Sequence, residues 1–380
     1  MKATVESNLF TGYSVGVQDP ITVLHLQFAY DTLLLGAKCW ANIRALRAVL
    51  VLFELMSGLK RPLYGVMWEM AFPLSRPSYW GDLRRLGFWE PVLTRIKNRL
   101  LGWKSRFLSF GGRFILLKSV LTSLPVYAFS FFKAPSGIIS SIESLLNKIF
   151  WGGSEDARKI SWISWKNICS RKEYEGLGVR QLQEFNIALL GKWCWRMLVD
   201  KEGLWFRVLA ARYGTEIGRV REGGMRGSSW WREIVNIWEG RGDIGVGWFG
   251  DCISKKVGEG SGTLFWTDPW LEGIPLSERF GRLFDLAMNK SSSVAEMFDL
   301  GWEVGGEAWE WRRQLWAWEE ELVRECQDLL HDLSLQAHSP DVWQWQPDPT
   351  NGYSVHNAYQ ILISQEITPL SAAADLIWHK

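Results

Sequence analysis

The sequence has little of what disulfide scaffolds, secreted precursors and membrane proteins need. Its five cysteines are odd in number, scattered, and never spaced as C-x-x-C, which argues against a disulfide framework and predicts reduced thiols. The best apolar run, Phe114 to Phe132, is interrupted by Lys118 and Pro125, so no membrane span is predicted. The N-terminus lacks the basic stretch and apolar core of a signal peptide. We therefore expect an intracellular protein, nuclear or cytoplasmic, with no membrane partner.

Net charge is also small, at +2, but this average hides two regions of opposite sign. From Pro91 to Lys133 there are eight basic side chains and no acid. From Glu296 to Asp332 there are eleven acids against three arginines. The first region would attract phosphate and the second would avoid it.

Tryptophan is abundant, with 25 residues in a chain of 380 that is 47% hydrophobic. This length and composition predict two or three folded domains rather than one core. A buried indole needs apolar neighbours and a partner for its ring N–H. For the tryptophans between residues 302 and 345 we favour core packing, and a flat surface for stacking on a ligand is the alternative.

Near the N-terminus, alternating apolar residues predict a β-hairpin. Leu24, Leu26 and Phe28 have the period of a half-buried strand, and a second apolar run follows from Leu33 to Leu35. Tyr30 and Asp31 would lie at the tip. Apolar residues then recur at helical spacing from Leu46 to Met56, and the helix would end at Gly58.

Helical periodicity dominates the rest of the chain. An apolar stripe predicts a helix from Trp89 with a break near Gly111-Gly112, and Pro125 would end or kink the segment after that break. Further helices are predicted over Phe185–Leu198 and around Trp309–Leu330, the latter with Glu319, Glu320 and Glu321 on its solvated side. The fold class is therefore α+β and mainly helical.

Gly258, Gly260 and Gly262 form a G-x-G-x-G pattern that could cradle a phosphate or turn a hairpin. No Lys-Ser/Thr follows, and residues 264–266 read as a strand. We favour a hairpin over Gly258–Trp270 with a glycine-rich turn. Cys326 and His331 lie close in sequence, but no second pair completes a tetrahedral set, so no metal site is assigned.

The motif Phe28-Ala29-Tyr30-Asp31 resembles the Phe/Tyr-Ala-Asp-Asp hairpin of LINE-type (non-LTR) retrotransposon reverse transcriptases. Later motifs are similar to the plant-type elements in the same order. They are Phe53-Glu54-Leu55-Met56-Ser57-Gly58, Leu108-Ser109-Phe110-Gly111-Gly112-Arg113, Phe150-Trp151-Gly152-Gly153, Gly176-Leu177-Gly178-Val179, Phe185-Asn186-Ile187-Ala188-Leu189-Leu190, Phe265-Trp266-Thr267-Asp268-Pro269-Trp270 and Asn351-Gly352-Tyr353-Ser354-Val355.

The resemblance implies a palm-hairpin remnant, a helical thumb and a mixed, tryptophan-rich C-terminal region. We divide the chain accordingly into a palm remnant (1–60), an irregular degraded segment (61–88), the thumb (89–150), a post-polymerase helical region (151–240), a tryptophan-rich mixed region (241–346) and the truncated start of a zinc-binding domain (347–380).

Polymerase catalysis in this family needs carboxylates that converge on two Mg²⁺ ions. Tyr30 stands where the resemblance implies the first hairpin aspartate, and a phenol is neutral at pH 7 and a poor ligand for a hard cation. Asp31 is then the remnant of the catalytic pair, or else an ordinary turn aspartate. Only 27 residues precede Phe28, too few for fingers and upstream palm. We expect an inactive RNA-directed DNA polymerase fragment with no cofactor.

The basic thumb segment also carries aromatic rings, including Trp103, Phe107, Phe110 and Phe114, a combination that suits tracking of a nucleic-acid backbone. The alternative is a helix with its rings in the core and its cations in water. We predict weak, non-specific RNA or DNA binding through seven cations: Arg95, Lys97, Arg99, Lys104, Arg106, Arg113 and Lys118.

Two other hypotheses compete with this one. The acidic, tryptophan-rich half could be a non-enzymatic module that binds protein partners, whose identity the sequence does not give. Alternatively, the reading frame is a pseudogene translation that does not fold stably.

Overall fold

The computed structural model describes a large part of the chain. It comprises residues 7, 9–16, 20–28, 31–34, 36–37, 39–45, 48, 86–102, 108–151, 162–174, 176–216, 218–224, 227–241, 245–303 and 305–365. The predicted helix between Leu46 and Met56 lies outside it apart from residue 48, and the irregular segment 61–88 lies outside it apart from residues 86–88, which are helical instead of irregular. Among the described residues helices predominate over short strands, which confirms the mainly helical α+β class.

The strands are β1 (Tyr13–Val15), β2 (Ile21–Val23), β3 (His25–Phe28), β4 (Asp31–Leu34), β5 (Thr215–Glu216), β6 (Arg219–Val220), β7 (Ile253–Lys256) and β8 (Val342–Trp345). The helices are α1 (Leu86–Gly102), α2 (Phe110–Ser119), α3 (Val126–Phe129), α4 (Ser136–Phe150), α5 (Trp165–Cys169), α6 (Leu182–Val199), α7 (Leu204–Tyr213), α8 (Ser229–Trp238), α9 (Trp248–Asp251), α10 (Leu276–Arg279), α11 (Gly281–Leu286), α12 (Val294–Asp299), α13 (Ala317–Leu330) and α14 (Val355–Gln365). Two 3-10 turns span Leu121–Ser123 and Lys172–Tyr174.

The chain divides into two compact units. The first consists of Met1–Gly81, Asp200–Glu216 and Val220–Ser228, and the second of Asp82–Val199, Ile217–Arg219 and Ser229–Lys380. The six-part division drawn from the sequence has different boundaries and stays a prediction.

In the first unit, short antiparallel strands pack on a helix. β1 pairs with β2, and Val15 and Val23 are buried together with Val208 of α7. β3 pairs with β4 in a second two-stranded sheet, with Phe28 opposite Asp31. Valine suits such strands because its branched side chain packs well on a pleated surface.

The second unit contains a helical core built from α1, α2, α4 and α6. The buried residues of α4 recur at helical spacing, so one face of this helix is apolar along its length: Ile138, Ile139, Ile142, Leu146 and Phe150. The helix predicted over Phe185–Leu198 is confirmed as α6, which extends a few residues further at its N-terminal end.

Asn186 explains one of the motifs of α6. Its side-chain amide is buried and donates to the carbonyls of Phe129 and Phe132 at 2.8 and 2.9 Å, and its Oδ1 accepts from Ala134 N at 2.8 Å. These bonds satisfy polar groups at the end of α3, where no helical partner is left for them. Asn186 therefore fixes the turn between α3 and α4 on α6.

A second core in the same unit is rich in tryptophan. Phe265, Trp266 and Trp302 are buried in it, and the half-buried Trp270 and Trp309 pack against it. Two ring N–H groups find backbone acceptors here, since Trp270 Nε1 donates to Phe265 O at 2.8 Å and Trp309 Nε1 to Trp302 O at 2.9 Å, whereas Nε1 of the buried Trp266 has no hydrogen-bond partner among the described residues. Core packing is therefore the role of Trp302 and, elsewhere in this unit, of the fully buried Trp345.

Two predictions about element boundaries are wrong, and a third is displaced by a few residues. The break predicted near Gly111-Gly112 lies just before them, at Leu108 and Ser109, and the two glycines belong to the first turn of α2, which Ser109 caps by accepting from Gly112 N at 3.2 Å. The helix predicted from Trp309 begins only at Ala317, since Trp311 instead forms a β-bridge with Ala287. The segment Gly258–Trp270 is no hairpin, because β7 pairs with the distant β8.

The Asn351-Gly352-Tyr353 motif brings the last described helix, α14, onto α6. The Tyr353 hydroxyl donates to Ala188 O at 2.5 Å. A Cβ on Gly191 would lie 2.5 Å from that hydroxyl oxygen and 2.8 Å from the Trp248 ring, so only glycine fits there. The Asn351-Gly352-Tyr353 motif therefore packs on the α6 motif at 185–190, and Gly191 leaves the room that this contact needs.

Candidate nucleic-acid interface

The predicted hairpin exists as the antiparallel pair β3–β4, which confirms the sequence interpretation at this point. Asp31 is the first residue of β4 rather than part of the tip. Tyr30 and the Asp31 side chain lie outside what the structure describes.

Asn42 clamps the backbone beside this hairpin. Its side chain is buried, its Oδ1 accepts from Thr11 N at 2.7 Å, and its Nδ2 donates to the carbonyls of Thr11 and Ala37 at 2.7 and 2.8 Å. Gly12 and Gly36 form a β-bridge in the same place, and a Cβ on Gly36 would lie only 2.9 Å from the Asn42 amide nitrogen. The base of the hairpin is therefore held independently of any catalytic group.

The donor set that two Mg²⁺ ions would require is not assembled in the described residues, where no three His, Cys, Asp or Glu side chains lie close enough to hold a metal ion. At the hairpin itself the sequence supplies one carboxylate, Asp31, beside the phenol of Tyr30. A neutral phenol and a single carboxylate do not fit a two-metal site.

Helix α1 buries Trp89 and Ile96 and exposes Arg95 and Lys97. Residues two apart on a helix lie about 200° apart, so these cations flank the buried stripe on opposite sides. Arg99 lies one turn beyond Arg95 in the same helix. The side chain of Arg99, and Lys104 and Arg106 altogether, are outside the described part of the chain.

Helix α2 contributes the other two described cations. Lys118 is exposed, with its Nζ 5.9 Å from the centre of the Phe114 ring, and Arg113 is half-buried. The sequence allowed two interpretations of the aromatic rings, contact with a nucleic acid or packing in the core, and one described ring of α2 fits each. Phe114 packs against the helical core, whereas Phe110 is half-exposed and contacts Phe150 at 4.9 Å between ring centres. Trp103 and Phe107 lie outside the described residues.

These cations have no acidic partner in the described part of the chain. None of Arg95, Lys97, Arg113 and Lys118 forms an ion pair with a described carboxylate. Lys133, at the end of the same basic segment, differs because its Nζ lies 3.1 Å from Glu233 Oε2. Among the described residues, no acid therefore competes with an external anion for these four of the seven predicted cations.

The glycine pattern at 258–262 does bind an anion, but one supplied by the chain itself. The Asp341 carboxylate accepts from the backbone N–H groups of Gly258, Gly260 and Gly262 at 2.7, 2.9 and 2.9 Å, and from the Thr263 hydroxyl at 2.8 Å. Although partial burial opposes ionisation, these donors hold the pKa of Asp341 below its ordinary value. The loop is therefore occupied from within.

A buried ion pair beside this loop was not predicted. Lys255 and Asp268 are 5% and 2% exposed, with Lys255 Nζ 2.8 Å from Asp268 Oδ2, and Arg219 binds the other carboxylate oxygen. Lys255 also donates to Gly262 O and lies 4.8 Å from the centre of the Trp343 ring. Asp268 belongs to the motif Phe265-Trp266-Thr267-Asp268-Pro269-Trp270, which is rich in aromatic residues, so the surrounding sequence did not indicate a buried charge.

Glu319 corrects the prediction that all three glutamates of α13 are solvated. Its carboxylate is buried and accepts from Arg313 at 2.7 and 2.9 Å and from Arg282 at 2.9 Å. It also accepts from Trp316 N at 3.0 Å. The Arg313 bonds, with those from Trp316 and Arg282, lower the pKa of Glu319 to about 2 despite the opposing effect of burial.

The cysteines are free, as expected from their spacing, with Cys169, Cys194 and Cys326 buried and Cys39 exposed. Burial raises the pKa of Cys326 to about 12 and that of Cys252 to about 11. These two thiols stay protonated at neutral pH and are poor nucleophiles. A search of the described helices for one long and apolar enough to cross a bilayer finds none.

No family model matches the chain, but it is similar to proteins of Arabidopsis thaliana. It is 34% identical to "Uncharacterized mitochondrial protein AtMg00310" over 151 residues, which are 39% of this chain and 93% of the relative. The chain belongs to the family of that mitochondrial protein. The match covers nearly all of that relative.

A second relative is much longer than the region it shares. "Putative ribonuclease H protein At1g65750" is 36% identical over 192 residues, which are 49% of this chain. The matched region is 30% of the relative, so this chain spans less than a third of that relative's length.

Proposed function

We propose that the chain derives from a plant non-LTR retrotransposon reverse transcriptase, and that its biochemical capacity is weak, sequence-independent binding of RNA or DNA through the cations of α1 and α2. The ordered motifs from Phe28 to Val355 support this origin. So does the plant relative with a ribonuclease H name, because that activity accompanies the copying of RNA into DNA. The continuation into a zinc-binding domain is part of the same proposal.

The observation that carries the binding proposal is that no acid among the described residues pairs with Arg95, Lys97, Arg113 or Lys118. A cation that is already paired gains little from a phosphate, whereas an unpaired cation releases the counterions of the nucleic acid. Backbone contacts of this kind give no base discrimination. We therefore expect little difference between sequences.

Salt dependence tests this proposal directly. A labelled single-stranded oligonucleotide is titrated with the protein between about 50 and 200 mM salt, and affinity should fall along a straight line in a double-logarithmic plot, with a slope of roughly −0.7 for each phosphate contacted. A flat response, or no binding at the lowest salt, would remove the proposed capacity.

We further propose that the chain is not an active polymerase. Tyr30 cannot supply the anionic oxygen that a metal ion needs, and each loss of about 1.4 kcal/mol of transition-state stabilisation costs tenfold in rate. Purified protein should show no templated, Mg²⁺-dependent primer extension, and Tyr30→Asp alone should not restore it. Extension by the unmodified chain, absent from a mock purification, would disprove inactivity.

A second function, binding of a protein partner by the tryptophan-rich region, has one observation in its favour. Trp316 and Trp318 are 58% and 49% exposed, with ring centres 6.2 Å apart. Indoles are enriched at interfaces because they bury a large area. Deleting residues 301–345 would remove the buried Trp302 and Trp345, so the sharper test replaces Trp316 and Trp318 with serine. A partner retained at high salt by the wild type should be lost from this variant.

A further inference from the structure

Beyond the predicted thumb cations, one loop brings a second lysine to Lys118. Gly178 has a φ of 64°, and its N–H donates to Ser170 O at 2.9 Å. Gly176 N likewise donates to Arg171 O at 3.0 Å. The Gly176-Leu177-Gly178 motif thus folds back against the 3-10 turn that carries Lys172, and a left-handed residue here favours glycine.

Lys118 and Lys172 meet over Gly178. The Nζ of Lys118 and the Cγ of Lys172 each lie 3.8 Å from the position that a Cβ would occupy on this glycine. Lys118 comes from α2 and Lys172 from a turn more than fifty residues later, and both are exposed. The fold therefore places the ammonium group of Lys118 and the flexible stem of Lys172, three bonds short of its own ammonium group, beside one glycine.

No described acid neutralises this pair. Neither lysine forms an ion pair with a described carboxylate, and the adjacent Glu173 is exposed and bridges to neither. The neighbouring Arg171 is different, because its guanidinium donates to Gln360 O at 3.1 Å and Ser364 Oγ at 2.5 Å on α14. Like charges held together without an acid leave a local positive potential that an anion relieves.

We infer that Lys118 and Lys172 contact one backbone phosphate of a nucleic acid together, so that the interface extends from α2 to the Gly176–Val179 loop. This inference rests on the proposed function and names a residue, Lys172, outside the predicted set. Lysine ammonium groups suit this role because each is a point charge on a flexible stem and needs no fixed geometry.

The test compares Lys118→Gln, Lys172→Gln and the double variant with the unmodified protein, with Lys256→Gln as a control. Lys256 is an exposed lysine of β7 in the same unit. Thermal melts first establish that each variant is folded. Affinity for the labelled single-stranded oligonucleotide is then measured across the same salt range, and Lys172→Arg tests whether charge alone suffices.

A shared phosphate predicts a particular pattern. Each single variant should bind roughly threefold or more weakly, yet keep most of the salt slope, because the remaining lysine still neutralises the phosphate. The double variant should reduce the slope by about 0.7, the value for one phosphate on a single strand. Lys172→Arg and Lys256→Gln should bind like the unmodified protein.

The failures are distinguishable. If the unmodified protein does not bind, the proposed function fails, and this inference fails with it. If it binds and Lys118→Gln weakens binding while Lys172→Gln behaves like Lys256→Gln, only the present inference is wrong. A slope reduction of about 1.4 in the double variant would assign the lysines to two separate phosphates and overturn the shared contact.

Discussion

The basic helices α1 and α2 and the tryptophan-rich region both carry cations. They differ in whether a described acidic side chain contacts those cations. Arg95 and Lys118 have no described acidic partner. In the tryptophan-rich region Lys255 is buried on Asp268, and Arg282 and Arg313 share Glu319. A charge count along the sequence reports neither situation. Buried acids decide which cations remain available to phosphate.

The same comparison applies to the acids. Eleven acids against three arginines between Glu296 and Asp332 predict a strongly negative surface. One of those acids, Glu319, is buried and bound to two arginines, of which Arg282 lies outside the counted stretch. Part of the acidic excess therefore stabilises the fold instead of repelling nucleic acid.

Removing the buried acid of the tryptophan-rich region should have the largest effect. Asp268→Asn leaves Lys255 buried without its counter-ion, and breaking such a pair costs about 3–5 kcal/mol of unfolding free energy. Chemical denaturation followed by tryptophan fluorescence measures the loss. Asp285→Asn, an exposed acid on α11 without an ion pair among the described residues, should change stability by less than about 0.5 kcal/mol. Equal effects at both positions would contradict a structural role for the buried pair.

Glu319→Gln should be milder at neutral pH, because the side chains of Arg282 and Arg313 are 42% and 34% exposed and can rehydrate. The distinctive effect of this substitution is expected on stability at acidic pH. The pKa of Glu319 is lowered from 4.5 to about 2, so the stabilisation is complete above about pH 4.5 and is lost as the pH falls toward 2. Unfolding measured from pH 7 to 2 should therefore be less pH-dependent in Glu319→Gln than in the unmodified protein. Parallel curves would show that Glu319 is not the group responsible.

Neutralising the unpaired cations should leave stability alone and weaken binding. The double change Arg95→Gln and Lys118→Gln removes two charges that no described acid pairs with, so we expect a change of at most about 0.5 kcal/mol in unfolding free energy and roughly tenfold weaker oligonucleotide binding at low salt. Arg279→Gln, which removes a cation already paired with Glu272 at 2.7 Å, is the matched control. If Arg279→Gln weakens binding as much, the contrast between paired and unpaired cations has no functional meaning.

The smallest effect concerns how α2 is placed. Ser109→Ala removes the hydroxyl that accepts from Gly112 N, and loss of such a cap costs about 1 kcal/mol. Ser109→Asp should retain the cap, so the pair of variants separates capping from a general surface effect. Thermal melting of both would show it, and an alanine variant as stable as the unmodified protein would contradict the assignment.

Local patterns predicted a good part of the fold. The β3–β4 hairpin and helix α6 were readable because each depends on residues close in sequence, through alternation in one case and helical spacing in the other. The cations of the candidate interface lie in one acid-free stretch and so could be named from the sequence, whereas their role in binding stays a prediction. The sidedness of α1 also follows from spacing alone.

Contacts between distant residues were not readable. The pairing of β7 with β8 joins residues about ninety positions apart, so the glycines after β7 were misread as a hairpin turn. Glu319 was placed in solvent because it lies in a run of three glutamates, although its position three residues after Trp316 suits a carboxylate that binds the N-terminal backbone of a helix. The sequence did not indicate Lys172 as an interface residue, since Lys118, which lies near it in the fold, is more than fifty residues away in the sequence.

The glycine loop at 258–262 has a consequence for any nucleotide or free phosphate offered to this region. Such a ligand would compete with a carboxylate that is tethered beside the same N–H groups, and even a loose tether gives an effective concentration of about millimolar. An anion from solution with no greater affinity for these N–H groups would have to exceed that concentration to displace the carboxylate. A ligand site could evolve in this loop only after Asp341 was lost. The lysines around Gly178 would need no such loss, because no described acid occupies them.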